Sequence, residues 1–355
     1  MVTMNKGSAL PRSLSSSEAI YLAPNFSVST DLITVAIRAG SNVSYIGDHT
    51  VKDIRGWAKL LDVRGEDALS QLAHISSNTA KPITSGVQYP LIMGIVNVTP
   101  DSFSDGGEFA GEETAVNHAI SLTNDGVDIL DFGGESTRPG ADEISSEDEL
   151  ARVLPVIERC RNLGPILSID TRKATVMDRA VKGGAAIIND VTALEYDERS
   201  MHVASKASVP VCLMHSSADP KVMQDNPQYD HVLFDVIDYL RKRVDDCVRA
   251  GIKRSDIILD PGIGFGKTLD HNLVLLKGLR FFHALGCPIL LGVSRKSFIG
   301  KIDRNEDAKH RIGGSLSSLL YGLAAGVHIF RVHDVRETRQ AIAIWQSIDN
   351  TSLTL

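Results

Sequence analysis

The sequence predicts an α/β fold, a (β/α)8 TIM barrel that follows a small N-terminal extension. From residue 89 onward, short apolar runs recur eight times, and longer stretches with helical periodicity lie between them. Because the runs are apolar at almost every position, they are typical of strands buried on both faces, as in a parallel sheet. Residues 89–355 suffice for eight such units, since a barrel of this kind takes about 250 residues.

The apolar runs mark the predicted strands. A doubly wound open sheet is the alternative, and it is disfavoured because no glycine-rich dinucleotide motif follows the first run. The predicted strands are Leu91–Val98, Ile129–Phe132, Ile166–Ile169, Ala186–Asn189, Pro210–Met214, Ile257–Leu259, Ile289–Val293 and Val327–Val332. The predicted helices are Glu113–Asn124, Ser146–Arg161, Lys173–Lys182, Asp230–Ala250, Leu269–Leu279, Lys309–Ala325 and Arg336–Trp345.

The chain divides at residue 88 in this interpretation. Residues 1–88 form the N-terminal extension, and residues 89–355 form the catalytic barrel domain. Within the extension, turn-forming residues and a mixed pattern of apolar and polar residues define several segments. These segments are a loose Ser-rich tail at 1–19, an apolar stretch at Ile33–Ile37, short helices at Val51–Leu61 and Ala68–Ile75, and a linker at 76–88.

Two roles for the extension are open. It covers the N-terminal end of the barrel and adds stability, or it acts as a lid or a partner-docking module. The first role is favoured because functional loops of barrels come from the opposite end. The apolar segments Ile33–Ile37 and Leu60–Val63 are expected to pack on something. Residues 1–86 are expected to be dispensable for chemistry, because all candidate residues lie between Asn97 and His333.

Composition excludes several classes of protein. The net charge of −7 argues against nucleic acid or an anionic membrane as the main partner. No apolar run has the length of about 18 residues that a transmembrane helix needs. The four cysteines show no metal-binding or disulfide pattern, which favours the reducing cytoplasm. A short transit peptide is the minor alternative, because the first 17 residues carry basic residues and no acid.

Polar or ionisable residues follow all eight apolar runs. Barrel enzymes place their active sites at the C-terminal ends of the strands, so these residues are expected to meet at one end. A single Asp after a strand is usually a helix N-cap, but eight polar endings in register are hard to explain by capping. The motifs that close the runs contain Asn97, Asp131, Asp170, Asn189, His215, Asp260, Ser294 and Arg331.

The polar endings divide into two kinds of chemistry. Asp170, Asn189 and Asp260 offer two carboxylates and an amide, which suit the N–H edge of a planar heterocycle such as an aminopyrimidinone. The alternative for three oxygen ligands is Mg²⁺, although the protein usually supplies only one or two oxygens to that ion. A second group of residues suits a phosphate or diphosphate. It comprises Thr137, Arg138, Ser294, Arg295, Lys296, Arg331 and His333.

Two long motifs carry a family resemblance. Residues 93–107, MGIVNVTPDSFSDGG, and residues 131–140, DFGGESTRPG, resemble the two signatures of the dihydropteroate synthases. The resemblance covers about residues 90–345, and residues 216–219 depart from the family pattern. Shorter family motifs follow in the expected order at Ser168–Thr171, Ile188–Asp190, Leu259–Gly262, Ser294–Ser297 and Arg331–Val335.

The resemblance implies an enzyme that joins 6-hydroxymethyl-7,8-dihydropterin diphosphate to p-aminobenzoate and releases pyrophosphate. It also implies small-molecule substrates, Mg²⁺ as cofactor and a homodimer. One alternative is a pterin-binding methyltransferase domain for methyltetrahydrofolate, which has no reason to keep the cationic residues at 294–296 and 331–333. The other is a non-catalytic pterin-binding paralogue, which has no reason to keep polar residues at every strand end.

The resemblance also assigns roles to individual residues. Asn97 would bind Mg²⁺ or the diphosphate, and the loops after the first two strands would close over the site. The pterin would contact Asp170, Asn189, Met214, Asp260 and Lys296; the diphosphate would contact Asn97, Thr137, Arg138, Arg331 and His333; p-aminobenzoate would contact Phe103, Pro139, Phe265 and Ser297; and catalysis would depend on Asp105, Arg138, Lys296, Arg331 and His333.

Overall fold

The structure is a computed structural model of the chain. It describes residues 9–26, 31–76, 83, 88–98, 108–136, 142–216 and 227–352. Among the helices in these ranges, none combines the length and the hydropathy needed to cross a membrane.

The N-terminal extension folds into a three-stranded antiparallel sheet and two helices. The sequence predicts the helices and the apolar centre of the second strand, but not the sheet. Residues 9–17 are not the loose tail that was expected, because Leu10 and Leu14 pack on the extension and Trp57 Nε1 donates to the Pro11 carbonyl at 2.7 Å. The elements are β1 (Glu18–Pro24), β2 (Leu32–Ala39), β3 (Asn42–Thr50), α1 (Val51–Ala58) and α2 (Val63–Ser76).

The first two strands of this sheet are buried on both faces. Alternate residues of a strand point to opposite sides, so each strand serves two cores. Ile33 and Val35 pack with α1 and α2, whereas Tyr21 and Ala36 belong to the core shared with the barrel. The prediction that Leu60–Val63 packs holds for Leu61, which contacts the core of the extension, but not for Leu60 and Val63, which are 77% and 70% exposed at the turn between the helices.

A side chain closes the outer edge of β1. The Gln71 Oε1 atom accepts a hydrogen bond from the Leu22 N–H at 3.0 Å, and Gln71 Nε2 donates to the Ile20 carbonyl at 2.8 Å. One amide of α2 therefore makes the two bonds that a fourth strand would make here. At the other edge of the sheet lies β3.

Eight parallel strands form the barrel, as predicted. Each strand pairs with the next one along the chain, the last pairs with the first, and a bridge from Leu259 to Ile289 completes the ring. An open doubly wound sheet reverses its strand order at a switch point, so this order excludes it. The strands are β4 (Leu91–Asn97), β5 (Ile129–Gly133), β6 (Ile166–Asp170), β7 (Ile187–Asp190), β8 (Val211–Met214), β9 (Ile257–Asp260), β10 (Leu290–Leu291) and β11 (Ile329–Val332).

Helices surround the barrel in the connections between strands. All seven predicted helices form, and the sequence analysis missed two short ones, α6 and α9, because neither offers two full turns of apolar periodicity. A 3₁₀ helix at Leu279–Leu285 extends the connection before β10. The α-helices are α3 (Glu108–Asn124), α4 (Ser146–Cys160), α5 (Ala174–Gly183), α6 (Ser200–Ala207), α7 (Val232–Arg249), α8 (Leu269–Lys277), α9 (Ser297–Ile302), α10 (Ile312–Ala324) and α11 (Val335–Asp349).

The barrel interior is layered. Along each strand, residues point alternately inward and toward the helices. The inward residues nearest the N-terminal ends of the strands form a separate apolar layer, which excludes water from the bottom of the barrel. It comprises Leu91, Met93, Ile129, Ile187, Cys212, Ile258, Leu290 and Ile329, with Ile83 from the linker packed among them.

The extension packs on the flank of the barrel, against α7, and on two of the loops that lead into strands at its N-terminal end. The Tyr21 ring lies 4.2 Å from the Phe234 ring of α7, and the Tyr21 hydroxyl donates to Asp238 Oδ2 at 2.7 Å. Arg38 pairs with Asp235 of the same helix. The expected contact with the N-terminal end is present in part, because His74 packs beside Gly286 before β10 and Phe26 packs beside Gly326 before β11. Within the described part of the linker, Ile83 packs into the apolar layer at that end.

We expect a chain that begins at Ser85 to fold as a barrel but to unfold at a lower temperature than a chain that begins at Lys81. Both lack the sheet and the two helices of the extension, and only the longer one keeps Ile83. Truncating a buried Ile to Ala costs about 2–5 kcal/mol, so removing Ile83 is expected to act in this range. Thermal unfolding by circular dichroism compares the two chains, and equal melting temperatures would contradict the role of Ile83.

Candidate active site

A polar layer lies directly above the apolar layer, at the C-terminal ends of the strands. On β5 the step from Ile129 to Asp131, two residues along the same face, replaces an apolar side chain by a carboxylate. Asp131 is fully buried. The same spacing on other strands brings Asn189, Met214, Asp260 and Arg331 to this layer, and Asp170 joins them from one inward position farther along β6, as the sequence predicts.

Arg331 joins two of the buried carboxylates. Its Nε atom donates to Asp131 Oδ2 at 2.7 Å, and its Nη2 atom donates to Asp170 Oδ2 at 2.7 Å. The sequence analysis placed Arg331 among the diphosphate ligands, separate from the ring of acceptors. The structure shows it inside that ring, so the two groups of residues meet at this guanidinium.

The carboxylates keep unused acceptor atoms. Among the described residues, Asp131 Oδ1 and Asp170 Oδ1 are buried and have no hydrogen-bond partner. Burial raises the pKa of Asp170 to about 7; Arg331 opposes this rise, and the Asp131 and Glu149 carboxylates add to it. A buried acceptor without a partner is costly, so Asp170 Oδ1, which lies one inward position above Asp131, points to a ligand that carries hydrogen-bond donors.

Asn189 has a fixed orientation. Its Nδ2 atom donates to Asp131 Oδ2 at 3.0 Å, the same oxygen that Arg331 reaches. A carboxylate can only accept hydrogen bonds when it is ionised, so this contact identifies the nitrogen side of the amide. The Asn189 carbonyl oxygen is thereby left as the atom that can accept from a ligand.

Asp260 and Lys296 form the opposite side of the slot. Asp260 Oδ1 accepts from the Gly262 N–H at 2.7 Å, and burial raises its pKa while Lys296 opposes this. Lys296 Nζ lies 4.7 Å from the centre of the Phe265 ring. Burial lowers the pKa of Lys296 to about 8, and Asp260 opposes the change. A cation and an aromatic ring thus lie beside the acceptors.

The turn after β9 depends on Gly262. Its φ of +69° is left-handed, and a Cβ atom there would lie 1.9 Å from the His215 carbonyl oxygen. Arg295 also has a positive φ, +59°, although it is not glycine. Strain of this kind collects at functional sites. Here the strained residue, Arg295, directly precedes Lys296 and forms an ion pair with Asp334.

The rim of the slot holds the remaining predicted residues. His333 Nδ1 lies 3.0 Å from the Ser294 hydroxyl, which ties the end of β11 to the loop after β10. Ser297 begins α9 and is exposed, and Asn97 ends β4 with an exposed side chain. The other predicted residues, Phe103, Asp105, Thr137, Arg138 and Pro139, lie outside the described residues.

Two residues in or under the site, Asp131 and Lys267, have no role assigned from the sequence. Asp131 was read only as part of a motif, although its spacing from Ile129 signals the inward face. Lys267 donates to the Phe265 carbonyl at 2.8 Å and lies 3.0 Å from His215 Nδ1. Burial lowers the pKa of Lys267 to about 7 and that of His215 to about 3. His215 is therefore a structural partner of the loop after β9.

Comparisons with known proteins agree with this architecture. The family described as pterin binding enzyme matches residues 93–333. Dihydropteroate synthase of Neisseria meningitidis serogroup B is 47% identical over 268 residues, 74% of this chain and 94% of that protein. The solved structure of Xanthomonas albilineans dihydropteroate synthase with 4-aminobenzoic acid is 43% identical, with a TM-score of 0.71 over 75% of this chain and 95% of that one.

A further structure holds the product. Xanthomonas albilineans dihydropteroate synthase in complex with 7,8-dihydropteroate is 40% identical, with a TM-score of 0.68 over 75% of this chain and 95% of that one. The family match begins at residue 93, inside β4, so the extension lies outside it. The resemblance seen in the motifs is thereby confirmed, and the chain belongs to the dihydropteroate synthases, transferases of the pterin binding enzyme family.

Proposed function

We propose that the slot at the barrel mouth is where this chain joins 6-hydroxymethyl-7,8-dihydropterin diphosphate to p-aminobenzoate and releases pyrophosphate. One observation carries the proposal. The Asp170 Oδ1 atom is buried and has no hydrogen-bond partner among the described residues, while Asn189 and Asp260 line the same slot. The amino and ring N–H groups of a pterin are donors that this set of acceptors would satisfy.

The slot would hold the pterin by its polar edge. Asp170 Oδ1, the Asn189 carbonyl oxygen and the Asp260 carboxylate would accept from the ring, and Lys296 would donate to a ring acceptor. Met214, which is 3% exposed, would pack against the ring. The apolar layer below this edge excludes water, so each hydrogen bond would form in a medium of low dielectric.

The reaction would depend on stabilising the leaving group. The bond between the pterin methylene carbon and the diphosphate oxygen breaks, and its electron pair leaves with the diphosphate. His333 at the rim and Arg331 in the slot would face this negative charge, together with Arg138, to which the family resemblance assigns the diphosphate. The conjugated pterin spreads the positive charge that develops on the methylene carbon.

The arylamine would complete the reaction without a strong base. Its nitrogen is neutral at pH 7 and attacks the methylene carbon directly, then loses a proton to solvent or pyrophosphate. Phe265 and Ser297, beside Lys296, support a pocket for p-aminobenzoate at the mouth of the barrel. The contribution of the chain is mainly to position the two substrates and to compensate charge.

Magnesium would bind with the diphosphate and not in a preformed cage. In the described residues, no three His, Cys, Asp or Glu side chains form a group that could hold a metal ion. Asn97 offers one exposed amide oxygen, and Mg²⁺ usually takes one or two protein oxygens plus phosphate and water. The donor set therefore fits an ion that arrives with substrate, where it would neutralise part of the leaving-group charge.

We also propose a cytoplasmic homodimer. All four cysteines are free and buried, which fits a reducing compartment. Leu273 and Val274 on α8 and Tyr321 on the neighbouring α10 are exposed apolar side chains. Burial of such a patch by a second copy would stabilise a two-fold dimer.

The assay that tests this function follows pyrophosphate release from the pterin diphosphate with and without p-aminobenzoate. We expect release to require both substrates. In Asp260→Asn an amide nitrogen would face ring donors and weaken pterin binding by about 1–3 kcal/mol, roughly 5- to 150-fold. Wild-type protein that releases no pyrophosphate would refute the function, and Asp260→Asn with normal pterin affinity would refute the assignment of the slot.

His333→Ala is expected to discriminate between ligands. It should weaken the binding of the pterin diphosphate at least fivefold and leave the binding of the dephosphorylated pterin nearly unchanged, because His333 lies at the rim. Arg331→Ala should weaken both ligands, since Arg331 also contacts Asp170. Titration calorimetry with the two ligands measures the difference. Equal losses for both ligands in His333→Ala would show that His333 does not face the diphosphate.

Pterin affinity is expected to fall as the pH drops below about 7. The carboxylate of Asp170 must be ionised to accept from the ring, and burial raises its pKa to about 7, so acid protonates the group that the ligand needs. Calorimetry with the dephosphorylated pterin between about pH 5 and 7.5 measures this slope. Asp170→Asn should bind weakly with little slope, and a flat profile in the wild type would contradict the assignment.

A further inference from the structure

We propose that Asp131 is a positioning residue, which sets the pterin slot to present acceptors and which contacts no substrate itself. This inference rests on the proposed function of the slot. Asp131 lies on β5, paired in register with Ser168 of β6, one inward position below Asp170. It is fully buried, and it holds two other slot residues through a single oxygen atom.

Asp131 keeps Arg331 from saturating Asp170. The guanidinium has a rigid fork of donors, and here Nε is used on Asp131 while Nη2 is used on Asp170. The second oxygen of Asp170 consequently remains without a partner among the described residues. Without the carboxylate at 131, the whole fork of Arg331 would be available to Asp170, and the ligand would lose its acceptor.

Asp131 also decides which end of the Asn189 amide meets the ligand. An amide has a donor end and an acceptor end of nearly equal size, so its orientation depends on its neighbours. The 3.0 Å contact with Asp131 Oδ2 occupies the donor end. The acceptor end is then left for the pterin, in line with Asp170 and Asp260.

A purely structural role explains Asp131 poorly. Its Oδ1 atom is buried with no partner in the described part of the chain, a state that costs stability. An apolar side chain would fill this inward position without that cost, as Ile129 does two residues earlier. The carboxylate is therefore better explained by the two residues that it orients.

The decisive experiment exchanges the side chains of residues 131 and 189. It compares this exchanged pair with the single variant Asp131→Asn. Asp131→Asn keeps the volume but removes the charge that holds Arg331 and the firm acceptor for Asn189. We expect at least a tenfold rise in the dissociation constant of the dephosphorylated pterin and less than a twofold change in the KM for p-aminobenzoate. In the double variant Asp131→Asn with Asn189→Asp, the amide at 131 donates to the carboxylate at 189. An acceptor then faces the ligand again, and pterin affinity should recover at least fivefold over Asp131→Asn.

Glu149→Gln is the matched control. Glu149 is also fully buried, pairs with a cation (Lys173 Nζ, 2.7 Å) and leaves its Oε1 atom without a partner in the described residues. It lies on α4, outside the slot. We expect Glu149→Gln to lower the melting temperature about as much as Asp131→Asn does. At about pH 8.5, where Asp170 is ionised with or without the Glu149 carboxylate, it should change the dissociation constant of the pterin less than twofold.

Three outcomes would overturn the inference. These are a pterin affinity of Asp131→Asn within twofold of the wild type, an exchanged pair that binds no better than Asp131→Asn, and a Glu149→Gln variant that loses pterin affinity to the same extent. The wild type is measured first for pyrophosphate release. An active wild type with any of these results refutes only the role of Asp131, whereas an inactive wild type refutes the proposed function.

Discussion

The site depends on one guanidinium that lies between two buried carboxylates. Ionised acids inside a barrel lose their hydration, and they remain there only where a cation and hydrogen bonds compensate the loss. Arg331 supplies both to Asp131 and Asp170. Arg331 comes from the last strand of the barrel, β11, and its partners come from the second and third strands, β5 and β6. The ion pairs of the polar layer therefore form only when the ring of strands has closed.

Lysine side chains likewise offset charge and fix the backbone in the rest of the slot. Lys296 opposes the charge of Asp260 on the far side, and Lys267 fixes the loop that carries Phe265. Since the layer beneath is apolar, water cannot screen these charges from below. The balance of acids and bases in the slot therefore controls which ligand groups the barrel mouth accepts.

Much of this architecture could be predicted from residues close together in sequence. The eight apolar runs define the strands, and the polar residues after them, such as Asp170 and Asp260, identify the acceptors. Other features could not be predicted, because they depend on contacts distant in sequence. The pairing of Asp131 with Arg331 joins residues 200 positions apart. The sheet of the extension was missed because β1 and β2 are apolar almost throughout, since they serve two cores, and this removes the alternation that marks a half-buried strand.

The two edges of the small N-terminal sheet differ in a way that limits self-assembly. Sheets aggregate when an unpaired edge accepts the edge of another molecule, and fibres need two such edges on each copy. Gln71 already bonds to the Leu22 N–H and the Ile20 carbonyl, so these backbone groups of β1 do not pair with a strand of another molecule. Within the described residues, β3 is then the edge of this sheet at which a strand of another copy could pair, and joining there would use that edge of both copies. Such growth stops at a pair.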